Sequence, residues 1–138
     1  MEQKELFRAE KPAVIVSKCL MGVPCRYHGK SVVRGYKIGR KKLIEKLEKD
    51  YTIIPICPEE DGGLPTPRPP TKIVGGVWLA DGEDVTAQFQ KGTEIALELA
   101  RVHQVKKAYL LDRSPACGKG YGMTALALEA AGVRVVKG

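Results

Sequence analysis

Ala13-Val14-Ile15-Val16-Ser17-Lys18-Cys19 is the stretch on which the fold turns. Residues 13–17 (AVIVS) are rich in β-branched side chains and lack the polar alternation of a half-exposed strand, so they read as a strand buried on both faces of a parallel sheet. Cys19 then stands just beyond its carboxyl end. The pattern recurs twice: residues 51–56 (YTIIPI) form a second apolar run with Cys57 directly after it, and residues 108–111 (AYLL) form a third, followed by Cys117. Three separate strands thus deliver the same side-chain type to the same edge. Unrelated buried cysteines behave as small hydrophobes and belong within strands or on helix faces, so this placement points to one shared site.

Helical spacing fills the gaps between the strands. Leu43, Ile44 and Leu47 sit among charges in residues 41–50, and Val85, Phe89, Gly92, Ile95, Leu99 and Val102 recur every three or four residues after Asp84, a candidate N-cap. Residues 124–131 predict a further helix before a last strand at 133–136 (VRVV). The stretch 57–81 is dense in Pro and Gly and is expected to be irregular. The resulting order βαβαβαβ predicts a single α/β domain over residues 1–138: a three-layer, Rossmann-like parallel sheet of about four strands with helices on both faces. Such sheets bind ligands outside the carboxyl ends of their strands, where Cys19, Cys57 and Cys117 are expected.

Composition agrees with one core, since 138 residues with 43% hydrophobic content leave little room for two. No apolar run of about 18 residues occurs, and the charged start (MEQKELFRAEK) lacks the apolar stretch of a signal peptide. A soluble, cytoplasmic protein without a membrane partner is expected. In that reducing compartment the four cysteines read as ligands or reactive thiols instead of a disulfide framework. Net charge is +7 and the pI about 9.3. This favours anions, nucleic acid included, but the basic residues are spread along the chain, and a solvated Lys/Glu-rich surface accounts for them more simply.

Three cysteines from three loops can hold zinc or an iron–sulfur cluster with a coordination position to spare. No CxxC pair is present, because Cys19 and Cys25 are separated by Leu20-Met21-Gly22-Val23-Pro24, so a zinc ribbon is disfavoured. Cys25 could form a disulfide with Cys19, act as a fourth ligand or serve as a resolving thiol. Cys57-Pro58-Glu59-Glu60 places two carboxylates beside a cysteine as proton donors or acceptors, and Ser114-Pro115-Ala116-Cys117-Gly118 places a hydroxyl there, for a substrate or for the turn itself. In Leu64-Pro65-Thr66-Pro67-Arg68-Pro69-Pro70 the prolines hold Arg68 extended, either toward a substrate or tying the loop to the domain. The run Gly118-Lys119-Gly120-Tyr121-Gly122 precedes a helix and offers amides to an anion or to cluster sulfides. His103 falls at a helix end. Two other readings are a zinc- and nucleic-acid-binding domain using all four cysteines, and a thiol redox protein cycling Cys19 and Cys25.

Taken together, Ser17-Lys18-Cys19-Leu20-Met21-Gly22 with Cys25-Arg26-Tyr27, the Cys57 to Pro70 segment, Gly82-Glu83-Asp84-Val85-Thr86 and Ser114-Pro115-Ala116-Cys117-Gly118 resemble the TudS-like thiouracil desulfurase family, in its order and across most of the chain. The resemblance implies a [4Fe–4S] cluster held by Cys19, Cys57 and Cys117, with one iron free of protein ligands. It implies desulfuration of a small thiolated nucleobase or related thio-compound, C=S to C=O with release of sulfide. Glu59 would then handle protons, Ser114 would position the substrate or assist, and Arg26, Glu60 and Arg68 would contact the substrate. The chain departs from the family in carrying His28 where Asp is usual, and in the short segment between Cys117 and the last helix, which would open the pocket.

Overall fold

The computed structural model describes residues 11–23, 25–29 and 38–138. Residues 1–10, 24 and 30–37, part of the span expected to form a single domain, lie outside the described residues. Four parallel strands form the central sheet: β1 (Ala13–Ser17), β2 (Thr52–Ile56), β6 (Lys107–Leu110) and β7 (Arg134–Lys137), in the spatial order β2-β1-β6-β7. Val14, Ile15 and Val16 of β1 are all 0% exposed, as a strand covered on both faces requires. Val14 and Val16 pack with Leu20, Ile44 and Leu47 beneath α1 (Ile38–Asp50). Ile15, pointing the other way, joins Phe89, Ala96 and Leu128 from α3 (Thr86–Val102) and α4 (Met123–Ala130). The three layers expected from the sequence are therefore present, with α1 on one face and α3 and α4 on the other.

Observed elements start or end within one or two residues of the expected ones, apart from α1, whose first turn begins at Ile38. Pro55 lies in β2, an edge strand, where the missing N–H of proline is tolerated. Along α3 the buried stripe is Phe89, Gly92, Thr93, Ala96 and Ala100, whereas Ile95 and Leu99 are half-buried and Val102 is exposed. Small side chains hold the centre because α3 packs closely against α4, where the Thr93 and Thr124 hydroxyls hydrogen-bond at 2.8 Å in the core. Burial of the Phe89 ring alone contributes about 2–3 kcal/mol. Asp84 serves the helix from one position further out than a standard cap: its carboxylate accepts the Thr86 N–H at 2.9 Å, and that contact with the Thr86 hydroxyl and amide holds it below the usual carboxylate range. No helix among the described residues is long and apolar enough to cross a membrane.

The expectation of an irregular stretch over residues 57–81 needs correcting. It contains a short helix, α2 (Pro58–Asp61), and two strands, β3 (Thr71–Val74) and β4 (Val77–Ala80), which with β5 (Glu83–Asp84) form a second, antiparallel sheet. The signals were Gly75-Gly76 and Asp81-Gly82, both pairs with positive φ, the conformation of two-residue hairpin turns that match strand twist. Proline density nearby obscured them. Trp78 of β4 fastens this sheet to the domain: its Nε1–H donates to the Pro115 carbonyl at 2.9 Å and its ring lies 6.3 Å from that of Phe89.

Gly92 lets α2 approach α3. A Cβ on it would stand 1.9 Å from the Pro58 carbonyl oxygen, so Gly92→Ala forces apart the two elements that set Cys57 and Glu59. We expect a loss of about 1–3 kcal/mol in urea unfolding; an unchanged midpoint would show that the contact is not structural.

Candidate active site

Strand β1 runs on into a 3-10 turn (Lys18–Met21) closed by Gly22 in the left-handed conformation, which turns Cys19 back under the sheet edge. Cys57 sits at the N-cap position of α2 with Pro58 in its first turn, and its backbone N–H donates to the Asp61 carboxylate at 3.1 Å. After β6, the Ser114 hydroxyl accepts the N–H groups of Ala116 (3.2 Å) and Cys117 (3.0 Å), folding the segment so that Cys117 faces inward. All three strand ends open on one cavity of roughly 150 Å³ whose wall includes Cys19, Cys25, Cys57, Cys117, Glu59 and Ser114. The sheet order explains the place: the chain leaves β1 toward β2 on one side and returns to β6 on the other, so the crevice lies where strand order reverses.

All four cysteines are free, buried thiols. Cys25 is pushed up to about 12, first by its contact with the Cys19 thiol and further by burial. Cys57 is pushed higher still, first by Cys25 and then by burial. Burial raises Cys117 to about 12, with the neighbouring hydroxyls of Ser17 and Ser114 acting in the opposite direction. Crowded neutral thiols of this kind are a donor set completed by a positively charged metal centre that displaces their protons. Among the described residues no group of three or more His, Cys, Asp or Glu side chains is arranged to hold a single ion, and the cysteines are instead distributed around the cavity.

Arg68 is almost fully enclosed, lies on the cavity wall, and commits four of its five guanidinium N–H donors to the protein. Nε donates to Glu59 Oε1 at 2.9 Å, Nη1 to the Pro65 carbonyl at 3.1 Å and the Thr66 hydroxyl at 2.6 Å, and Nη2 to the Cys25 carbonyl at 2.9 Å. These bonds tie the loop to the domain, one of the two roles open to Arg68 in the sequence, while its place on the cavity wall leaves the substrate role open to it. Glu59 reaches the cavity with Oε2 free of protein hydrogen bonds among the described residues. Glu60 does not line the cavity; its carboxylate accepts the Thr66 hydroxyl. Arg26 lines the cavity as expected, as does Arg113, a residue overlooked in the sequence, in left-handed conformation beside Ser114.

Three of the five amides of the anion cradle expected over residues 118–122 are already used within the protein. The N–H groups of Gly118, Tyr121 and Gly122 bond within the loop, and those of Met123 and Ala125 donate to the Pro115 and Ala116 carbonyls. The Pro115 and Ala116 carbonyls thus receive amides of the first turn of α4 and tie the Cys117 loop to it. Ser17 was passed over as a site residue for a simple reason: it reads as the last residue of a buried strand. Its hydroxyl accepts the Leu111 N–H at 3.0 Å, and the residue shares the cavity wall with Cys117.

The 2-thiouracil desulfurase family profile matches residues 14–137. The chain belongs to this family. Its 2-thiouracil desulfurase fold aligns with the solved structure of the [4Fe-4S]-dependent thiouracil desulfidase TudS at a TM-score of 0.81 and 36% identity, covering 93% of this chain and 90% of that one. It is also 32% identical over 148 residues to the uncharacterized protein YbbK of Bacillus subtilis (strain 168), covering 89% of this chain and 93% of YbbK.

Arg68→Lys keeps the charge of this desulfurase's clamp and removes its fork. At least one charged hydrogen bond is lost with its acceptor left in the interior, and we expect about 1.5–3 kcal/mol of destabilisation in urea unfolding. A loss below half a kcal/mol, roughly the level of an exposed pair, would mean the clamp is not rigid.

Proposed function

We propose that this chain is an iron–sulfur-dependent desulfurase that converts the C=S of a small thiolated nucleobase or related thio-compound to C=O and releases sulfide. The observation that carries the reading is the convergence of Cys19, Cys57 and Cys117 from three strand ends on one cavity that also takes Glu59 and Ser114 into its wall. Those three cysteines would hold a [4Fe–4S] cluster, which when bound supplies an iron without a protein ligand, a Lewis acid for the thione sulfur. Family membership and the TudS fold support the same cofactor and substrate class.

The chain's own residues do the rest. Glu59 is oriented by Arg68 through one oxygen, and its other oxygen accepts a proton from the water that attacks the ring carbon. The oxygen of that water becomes the carbonyl, and its two protons leave with the sulfur as hydrogen sulfide. Ser114 accepts two backbone N–H groups through its oxygen, so its single proton is directed outward to the cavity, toward substrate or the Cys117 sulfur. Pro70 and Thr71, at the entry to the small sheet, wall the cavity and limit water. Arg26 contributes a cation for substrate binding from the same wall. We place the reaction in the cytoplasm, whose reducing medium preserves thiolate ligands. The four-cysteine zinc reading needs donors converging on one point, an arrangement that does not occur among the described residues.

Anaerobic reconstitution followed by a sulfide-release assay on 2-thiouracil tests the proposal. The expected result is about four irons and four sulfides per chain, lost in Cys19→Ala, Cys57→Ala and Cys117→Ala. Glu59→Gln should retain the cluster and turn over about 10²–10⁴-fold more slowly. Failure of the parent protein to take up a cluster overturns the reading. A cluster without sulfide release keeps the metal site and removes thiouracil as the substrate.

A further inference from the structure

Cys25 is a buried thiol on the cavity wall that the reaction above does not use. It is held in place from both ends. Its carbonyl accepts Arg68 Nη2 at 2.9 Å, and the Cys57 Sγ lies 3.7 Å from that same carbonyl oxygen. Its side chain belongs with those of Cys19 and Cys57 to one buried cluster. Cys57 therefore meets Cys25 at its backbone carbonyl and shares its buried cluster. Cys117 lies outside that cluster, on the cavity wall with Ser17 and Ser114, whose hydroxyls cannot resolve an oxidised sulfur.

We propose that Cys25 is an oxidative modification site: in the cluster-free protein exposed to a peroxide it closes a disulfide onto Cys57, shielding that ligand cysteine from irreversible oxidation. In the first step peroxide transfers one oxygen to the Cys57 sulfur, giving the sulfenic acid and one water. The Cys25 thiol then attacks that sulfur; the S–S bond forms, the S–O bond breaks, and a second water leaves. Two thiols and one peroxide thus yield one disulfide and two waters. Because the two residues already share one buried cluster, the second step is intramolecular and outruns a second peroxide, which would carry Cys57 to the sulfinic acid. Low-molecular-weight thiols reopen the bond by exchange and return Cys57 for cluster assembly. The protective meaning rests on the desulfurase reading; the disulfide itself does not.

The test uses the full chain, purified without cluster and treated with hydrogen peroxide, then alkylated and mapped by peptide mass spectrometry. The expected product is a Cys25–Cys57 cross-linked peptide that disappears on treatment with dithiothreitol, after which iron uptake returns to that of untreated protein. In Cys25→Ser, Cys57 should instead gain two or three oxygens, and dithiothreitol should not restore iron uptake. Cys25 found free or joined to Cys19 after peroxide overturns the proposal, as does equal over-oxidation of Cys57 in both proteins. Mapping of the parent chain decides the question even if the variant does not fold. Cluster assembly in untreated protein decides the proposed function separately.

Discussion

The buried guanidinium of Arg68 is the constraint on which the site depends. One planar group with donors in a fixed fork reaches the carbonyl that follows β1, the carboxylate that follows β2, and the proline-rich segment that carries Arg68 itself. Its backbone N–H adds a bond to the Tyr27 carbonyl at 2.7 Å. Three segments with little regular structure of their own are held in register by one side chain. Removing such a group leaves Glu59 and two carbonyls without partners in a place water reaches poorly, so the arrangement is all-or-none. The prolines around Arg68 reduce the entropy lost in holding it there.

The sheet sets the larger frame. Parallel pairing aligns Ser17 with Ile56, so Cys19 and Cys57 emerge at nearly the same level, and β6 beside β1 brings the Cys117 loop to the opposite lip of the crevice. The small antiparallel sheet then closes one side, bolted by Trp78 to the carbonyl of Pro115 and so to the Cys117 loop. Packing and site are coupled: Gly92 on α3 determines how closely Pro58 approaches, and Pro58 sits between Cys57 and Glu59. Donors drawn from separate loops in this way are neutral and crowded when alone, a state that favours a cationic centre and also favours sulfur–sulfur chemistry when that centre is lost.

Much of the fold was legible because its signals are local. An apolar run bounded by polar residues reports a doubly buried strand, as residues 13–17 did, and a three-to-four spacing reports a helix. The one substantial misreading, residues 57–81, came from weighing proline and glycine as breakers without seeing that Gly75-Gly76 and Asp81-Gly82 are hairpin turns between short alternating strands. Helix α3 shows a subtler limit. Its period was evident, but which stripe faces inward depended on its neighbours: α2 approaches at Gly92 and α4 at Thr93, and these are buried while Ile95 and Leu99 are only half-buried.

By itself the sequence determined the parallel α/β architecture and the placement of three cysteines beyond three strand ends, with a pair of glutamates and Ser114 close by in the chain, because each follows from residue order and periodicity; which glutamate meets the cavity it left open. Tertiary structure alone decided the direction of side chains in loops, where no period constrains them. It turned Arg68 into a clamp and Glu60 onto Thr66, brought Ser17 and Arg113 to the cavity, and tied three amides of the glycine run into bonds within the loop. It also put Cys25 against Cys57, thirty-two positions later in the chain. That contact exists only because β1 and β2 lie side by side, a pairing between residues distant in sequence that no local pattern encodes.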